Sequence, residues 1–332
     1  MMTTHSAPPL PTHNILITIP RTASNLVTQL LNLPAQPSIA RHSRDGYFFL
    51  PALGYRYEHD TFGRPRDEWT EEEQDGIQAA LQTSFDAWKT WIADAELEGK
   101  GTFIKEHVNW TIKAEPETQY LHRSPEDETS LSLNLTCIPD DFLLNKVRPT
   151  FLIRHPALTF PSLFRTARDN EGIDALLTES TAKAIRWEAT YRWHITLYKF
   201  LVSSPAYPYP SHDLDIQYPI ILDASDLANP DLVRKYAAAV GLDPQLVKFE
   251  WAAVSDQEQD RLGKVEARMK DTLLKSQGIV LDKLRKGAAL NVETEAKKWI
   301  EEFGELLGKR LVGLVEEAMG DYEWLFERRV RV

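Results

Sequence analysis

Arg21, Lys105, His107 and Arg154 each follow or end a short apolar run. Arg21 comes after Ile15, Leu16, Ile17 and Ile19, which Pro20 stops, and it precedes Thr22, Ala23, Ser24 and Asn25. Lys105, Glu106 and His107 follow 102–104, and Arg154, His155 and Pro156 follow 150–153. Side chains of this kind at strand ends suit an anion site, because ligands of open parallel sheets bind at the carboxyl ends of the strands. A helix opening just after Arg21 would also aim its leading backbone N–H groups at the turn. Each member taken singly has a structural reading too: a surface arginine on an ordinary strand-helix unit, a packing histidine, a salt-bridged Arg154. Convergence on one crevice requires the three strands to be neighbours, which the rest of the chain must arrange.

Only Thr18 interrupts the β-branched-rich run from Ile15 to Ile19, as in a strand covered on both faces. Ser24 and Asn25 are helix-capping types, and Leu26, Leu30, Leu31 and Leu33 recur behind them at helical spacing. Further buried strands are expected at 102–104, 150–153 and 219–222, the last ending at Asp223. Thr70 and Glu73 form a capping box for a helix with Ile77, Leu81, Phe85, Trp88 and Ile92 along one side. Ala184, Trp187, Tyr191, Ile195, Tyr198 and Val202 predict one helix over 181–202, broken by the prolines of 205–210. A helix over 232–240 is closed by Gly241, 255–275 reads as an exposed charged helix, and 294–318 as a long amphipathic one. Residues 34–69 are aromatic, basic and proline-rich without a sustained period, which marks a functional loop or lid. Residues 114–129 read as polar loop. Four apolar strands alternating with helices predict an α/β fold built on a doubly wound parallel sheet. Residues 1–13 read as a flexible tail and 14–332 as a single domain, with 38–100 an inserted loop and helix.

A net charge of -11 argues against nucleic acid or an anionic membrane surface as the main partner, so any anion must be held by a few placed cations. A single cysteine, Cys137, excludes an internal disulfide and a cysteine metal cluster. The opening residues have no apolar core, and no stretch is long enough to span a bilayer, so a cytoplasmic location is expected. The glycosylation sequons at Asn109 and Asn134 are then chance matches. Without a GxxxxGK[ST] motif the chain is not a Walker-type NTPase. The acidic run at 71–73 reads as a favourable first helical turn, and no metal is expected.

Pro20, Arg21, Thr22, Ala23, Ser24 and Asn25 resemble the 5′-phosphosulfate loop of the sulfotransferase family, in which a glycine and hydroxyl residues open the first helix. Ala23 stands at the usual glycine and Asn25 at a usual threonine or serine. Alanine is tolerable there if helical and strained if φ is positive. The segment FLIRHPALTFPS is similar to the family's 3′-phosphate segment through Arg154 and Ser162. Lys105 and His107 resemble its lysine-x-histidine, and Arg285, Lys286 and Gly287 its late triplet that closes over the 3′-phosphate. The resemblance covers nearly the whole chain, in the form of the fungal branch associated with small-molecule metabolism. It implies a three-layer, P-loop-like sulfotransferase fold with helical insertions.

The resemblance also implies sulfuryl transfer from 3′-phosphoadenosine 5′-phosphosulfate (PAPS) to a hydroxyl, or an amine, of a small apolar metabolite. His107 would be the general base, and Arg21 and Lys105 would stabilise the leaving phosphate oxygen. Arg21, Thr22, Ala23, Ser24 and Asn25 would hold the 5′-phosphate, and Arg154, Ser162, Arg285, Lys286 and Gly287 the 3′-phosphate. The aromatic loop 47–62 and the Trp88 helix would form the acceptor side, with Trp187 a stacking surface for adenine or simply core. Ala23 and Asn25 leave two other readings open: a PAPS-independent lyase, isomerase or cyclase on the same fold, or a non-catalytic binding protein. The expected partner is a small-molecule acceptor, with no nucleic acid and no membrane. Oligomeric state is not readable from the sequence.

Overall fold

A computed structural model describes residues 12–122, 133–205, 207, 211–212, 215–255, 262–284, 287 and 290–332. Strands β1 His13–Thr18, β2 Ile39–Ala40, β3 Gly101–His107, β4 Arg148–Ile153 and β5 Ile220–Asp223 form one sheet in the order β2-β3-β1-β4-β5. Every pairing is parallel. β1 therefore lies between β3 and β4, and the strands that lead to Arg21, His107 and Arg154 are immediate neighbours. Thr18 is level with His107, and Leu16 with Lys105. All of β1 and β3 is buried, which explains why neither alternates between apolar and polar residues.

Helices flank this sheet: α1 Ser24–Leu31, α2 Leu50–Glu58, α3 Glu71–Leu97, α4 Ala114–His122, α5 Pro156–Glu171, α6 Glu179–Glu188, α7 Arg192–Ser203, α8 Pro230–Ala239, α9 Lys264–Lys275 and α10 Val292–Glu327. The capping box of Thr70 and Glu73 opens α3 as expected. Trp88, Trp187, Trp193 and Trp299 anchor the core. Trp187 is fully buried between Phe62 and the Arg56 guanidinium, so it is a core residue and offers adenine no surface. Asn109 is wholly buried and Asn134 nearly so, which suits sequons that match by chance. No helix among the described residues is long and apolar enough to cross a membrane.

The structure corrects several expectations. β2, inside the segment read as an insertion, is a fifth strand whose two residues are too few to show a period. Residues 114–122 form α4, not loop, because Pro116 falls in the first turn, where no helical N–H is lost. The helix expected over 181–202 is two helices with a break at Ala189 to Tyr191. There the buried Tyr191 hydroxyl accepts the Arg154 N–H at 2.8 Å and donates to the Arg154 carbonyl, and this tertiary bond overrides the helical period. The charged helix begins only at Lys264 within the described residues, and 256–261 lie outside them. The last helix extends over Val292–Glu327 and kinks at Gly304, whose φ is 83°.

Candidate active site

At the carboxyl end of β3 the Nδ1 of His107 lies 2.6 Å from the Thr18 hydroxyl. Thr18 donates its own proton to the Glu106 carbonyl at 3.0 Å. A hydroxyl has one proton, so His107 must be the donor at this contact, which places its proton on Nδ1 and its lone pair on Nε2. Its ring is flanked by Tyr47 at 5.1 Å and, edge to face, by Trp110 at 4.5 Å. Burial, then the charges of Lys105 and nearby groups, holds the imidazole well below its usual value, so it is neutral near pH 7.

Two residues back on the same face of β3, Lys105 is 1% exposed. Its ammonium donates to Oδ1 of Asn25 in the first turn of α1 and sits 4.9 Å from the Tyr47 ring centre. No carboxylate pairs with it among the described residues, and burial pushes its pKa down to about 8. Ala23, not Ser24 or Asn25, caps α1, with φ 69° and ψ 26° and no side-chain cap. The left-handed conformation that a glycine would take freely is thus kept by an alanine, and no side chain caps the leading N–H groups of α1. Ser24 shares a hydrogen bond with the Tyr47 hydroxyl, whereas Thr22 is buried and donates to the Ile19 carbonyl at 2.8 Å.

On the β4 side, Nε of Arg21 donates to the Ser162 hydroxyl at 3.1 Å and Nη1 to the Met269 carbonyl of α9 at 3.1 Å. Arg154 donates to the carbonyls of Arg21 and Lys283, both at 2.7 Å. Arg21, Arg154 and Ser162 therefore gather on one side of the turn, and Lys105, Asn25 and His107 on the other. Gly287 lies against His155, where a Cβ would come 2.7 Å from Cδ2 of the imidazole. This brings the triplet's glycine to the end of β4. Arg285 and Lys286 lie outside the described residues. No cluster of side chains able to hold a metal occurs among the described residues.

Thr18, Tyr47, Glu106 and Trp110 complete the site, although nothing in the motifs marks them. Asp45, Gly46 and Tyr47 run beside Lys105: its N–H donates to the Asp45 carbonyl at 2.9 Å, and Tyr47 donates back to the Lys105 carbonyl at 3.2 Å. A Cβ on Gly46 would stand 2.1 Å from the Lys105 carbonyl oxygen, so only glycine permits this approach. Glu106 points to the opposite face of β3 from Lys105 and is fully buried. Its carboxyl group accepts the backbone N–H of Phe48, just before α2, and burial raises it to about 8. The readable signals are the lone polar Thr18 in an apolar strand and Gly46 before a tyrosine.

Cationic and imidazole groups thus stand at the carboxyl edge of a parallel sheet, around an uncapped helix N-terminus, where open α/β sheets place their ligand sites. Over 340 residues the chain is 36% identical to Sulfotransferase ppzF of Metarhizium rileyi (strain RCEF 4871), covering 98% of each protein. It is 35% identical over 337 residues to Sulfotransferase ppzF of Metarhizium majus (strain ARSEF 297), covering 97% of each. The chain belongs to the sulfotransferase family. No family model matches it. No solved structure does either.

Proposed function

We propose that the protein transfers a sulfuryl group from PAPS to a hydroxyl, or an amine, of a small molecule, with His107 as general base. The observation that carries this reading is a fully buried Lys105 ammonium with no carboxylate partner among the described residues, beside a histidine whose Nε2 bears the lone pair. Buried charges are ordinarily paired, so the compensating negative charge belongs to the ligand. Arg21 likewise makes no ion pair among the described residues, its guanidinium being bonded to Ser162 and a carbonyl. Cations on both sides of one turn fit a nucleotide with two separated phosphates.

When bound, PAPS supplies a sulfur-oxygen bond that breaks at the 5′-phosphate as the acceptor oxygen bonds to sulfur. Nε2 of His107 takes the acceptor's proton, and Thr18 keeps the imidazole in that tautomer. Lys105, Asn25 and the leading N–H groups of α1 face the phosphate oxygen that gains charge. Arg154, Ser162 and the 285–287 triplet hold the 3′-phosphate, and Arg21 bridges the two centres. Titration of adenosine 3′,5′-bisphosphate by calorimetry tests the reading. Micromolar or tighter binding that Arg154→Ala abolishes is expected, and no binding at millimolar ligand would overturn it.

A further inference from the structure

Two cations of this protein are buried almost completely, and they are treated differently. Arg56 has Glu117 at 2.7 Å and the Trp187 ring centre at 5.1 Å. Lys105 has the ring without the carboxylate: its ammonium lies 4.9 Å from the centre of Tyr47 and donates to Oδ1 of Asn25. Asp45 and Glu106 lie near it without reaching ion-pair distance, Glu106 from the opposite face of β3, and on α9 Glu266 is paired with Lys270 at 2.8 Å. Arg21 and the neutral His107 bring no negative charge from their side of the turn. An aromatic face carries the negative part of the ring's quadrupole, and within about 6 Å it attracts a cation, most strongly where water is excluded.

The backbone that carries this ring is strained. Asp45 and Tyr47 hold φ at 54° and 63°. The left-handed region is an outlier for a side chain as bulky as tyrosine, and it persists only where neighbours enforce it. Here Lys105 enforces it: its own N–H and carbonyl bond to the Asp45 carbonyl and the Tyr47 N–H, at 2.9 and 3.2 Å. The ring also stands 5.1 Å from His107 and 5.2 Å from Trp110. Contacts with three residues thus fix it beside the ammonium.

We propose that Tyr47 is a positioning residue whose ring stands in for an anion, keeping Lys105 charged and in place until a ligand brings the negative charge. That the arriving group is a phosphate or sulfonate oxygen rests on the sulfuryl-transfer reading, whereas the hold of the ring on the ammonium stands on the geometry alone. Without the ring, the free protein would lose the Lys105 proton at lower pH, and an anion would then be captured only with uptake of a proton.

Tyr47→Phe, followed by 4-fluoro-, 3,5-difluoro- and pentafluorophenylalanine at the same position, keeps the ring while drawing off its negative face in steps. The Lys105 ammonium is titrated by NMR of protein labelled with [13C]lysine, its signal being the one lost in Lys105→Arg. The midpoint, near 8 in the wild type, should stay there in Tyr47→Phe and fall with each fluorination step, by about one pH unit for the pentafluoro ring, with an unchanged circular dichroism spectrum. Adenosine 3′,5′-bisphosphate affinity should follow, equal to that of Tyr47→Phe within about twofold at pH 6 and weaker by about fivefold at pH 8. A midpoint indifferent to fluorination overturns the proposal, and so does one that falls as far in Tyr47→Phe, which would assign the effect to the hydroxyl. Failure of the bisphosphate to bind the wild type would instead count against sulfuryl transfer, and the lysine titration would still judge the ring.

Discussion

The Thr18 hydroxyl accepts the Nδ1 proton of His107 at 2.6 Å while giving its own proton to the Glu106 carbonyl. Two adjacent strands in register thus fix which imidazole nitrogen is basic. Thr18→Val keeps the shape and removes the acceptor. It should lower kcat by about tenfold to a hundredfold, the scale of a misplaced general base, with bisphosphate affinity unchanged by calorimetry.

The pH profile of kcat/KM for PAPS follows from two shifts of the same sign. Burial depresses His107 below the usual 6.5, so it stays neutral and competent as the pH falls through that value. Lys105, lowered to about 8, loses its charge as the pH rises through it. Activity should therefore persist on the acid side of 6.5 and decline above about 8. Lys105→Arg, which remains charged, should move the alkaline limb upward and separate it from Glu106, which also titrates near 8. A rate that falls on acidification through 6.5 would contradict a depressed His107.

The Glu106 carboxyl group accepts the Phe48 N–H just before α2, in the segment proposed as the acceptor side. Glu106→Ala should free the 47–49 turn, raise KM for the acceptor severalfold and speed amide exchange there. Glu106→Gln keeps an acceptor oxygen and should restore most of both. Equal effects of the two variants would assign the role to charge and not to the N–H contacts.

Ala23 holds φ at 69°, which costs an alanine about 1 kcal/mol that a glycine does not incur. Ala23→Gly should raise Tm by about 2 °C despite its greater unfolded-state freedom, and Ala23→Val should lower it. Thermal unfolding of the three proteins decides the point. An unchanged or lower Tm for the glycine variant would mean that the turn relaxes around alanine without strain.

Much of this architecture was legible because strand ends are local. Lys105 and His107 are two apart and so share a face, and Arg21 and Arg154 end runs too apolar to be anything but buried. The capping box at Thr70 is legible for the same reason. What the sequence hid depends on partners far along the chain. The role of Thr18 is set by its register with His107, and Tyr47 is placed by pairing of its neighbours with Lys105. The break before α7 comes from a bond between Tyr191 and Arg154, which no helical periodicity reports. The role of Glu106 needed the start of α2 to lie on the far face of β3.

Sulfuryl transfer from radiolabelled PAPS, measured in parallel with adenosine 3′,5′-bisphosphate binding for the wild type and His107→Ala, tests the central claim most directly. Binding should be equal in the two proteins within about twofold, while transfer falls by about a hundredfold or more in the variant. Transfer retained without His107, or binding lost together with it, would contradict the assignment of His107 as the base.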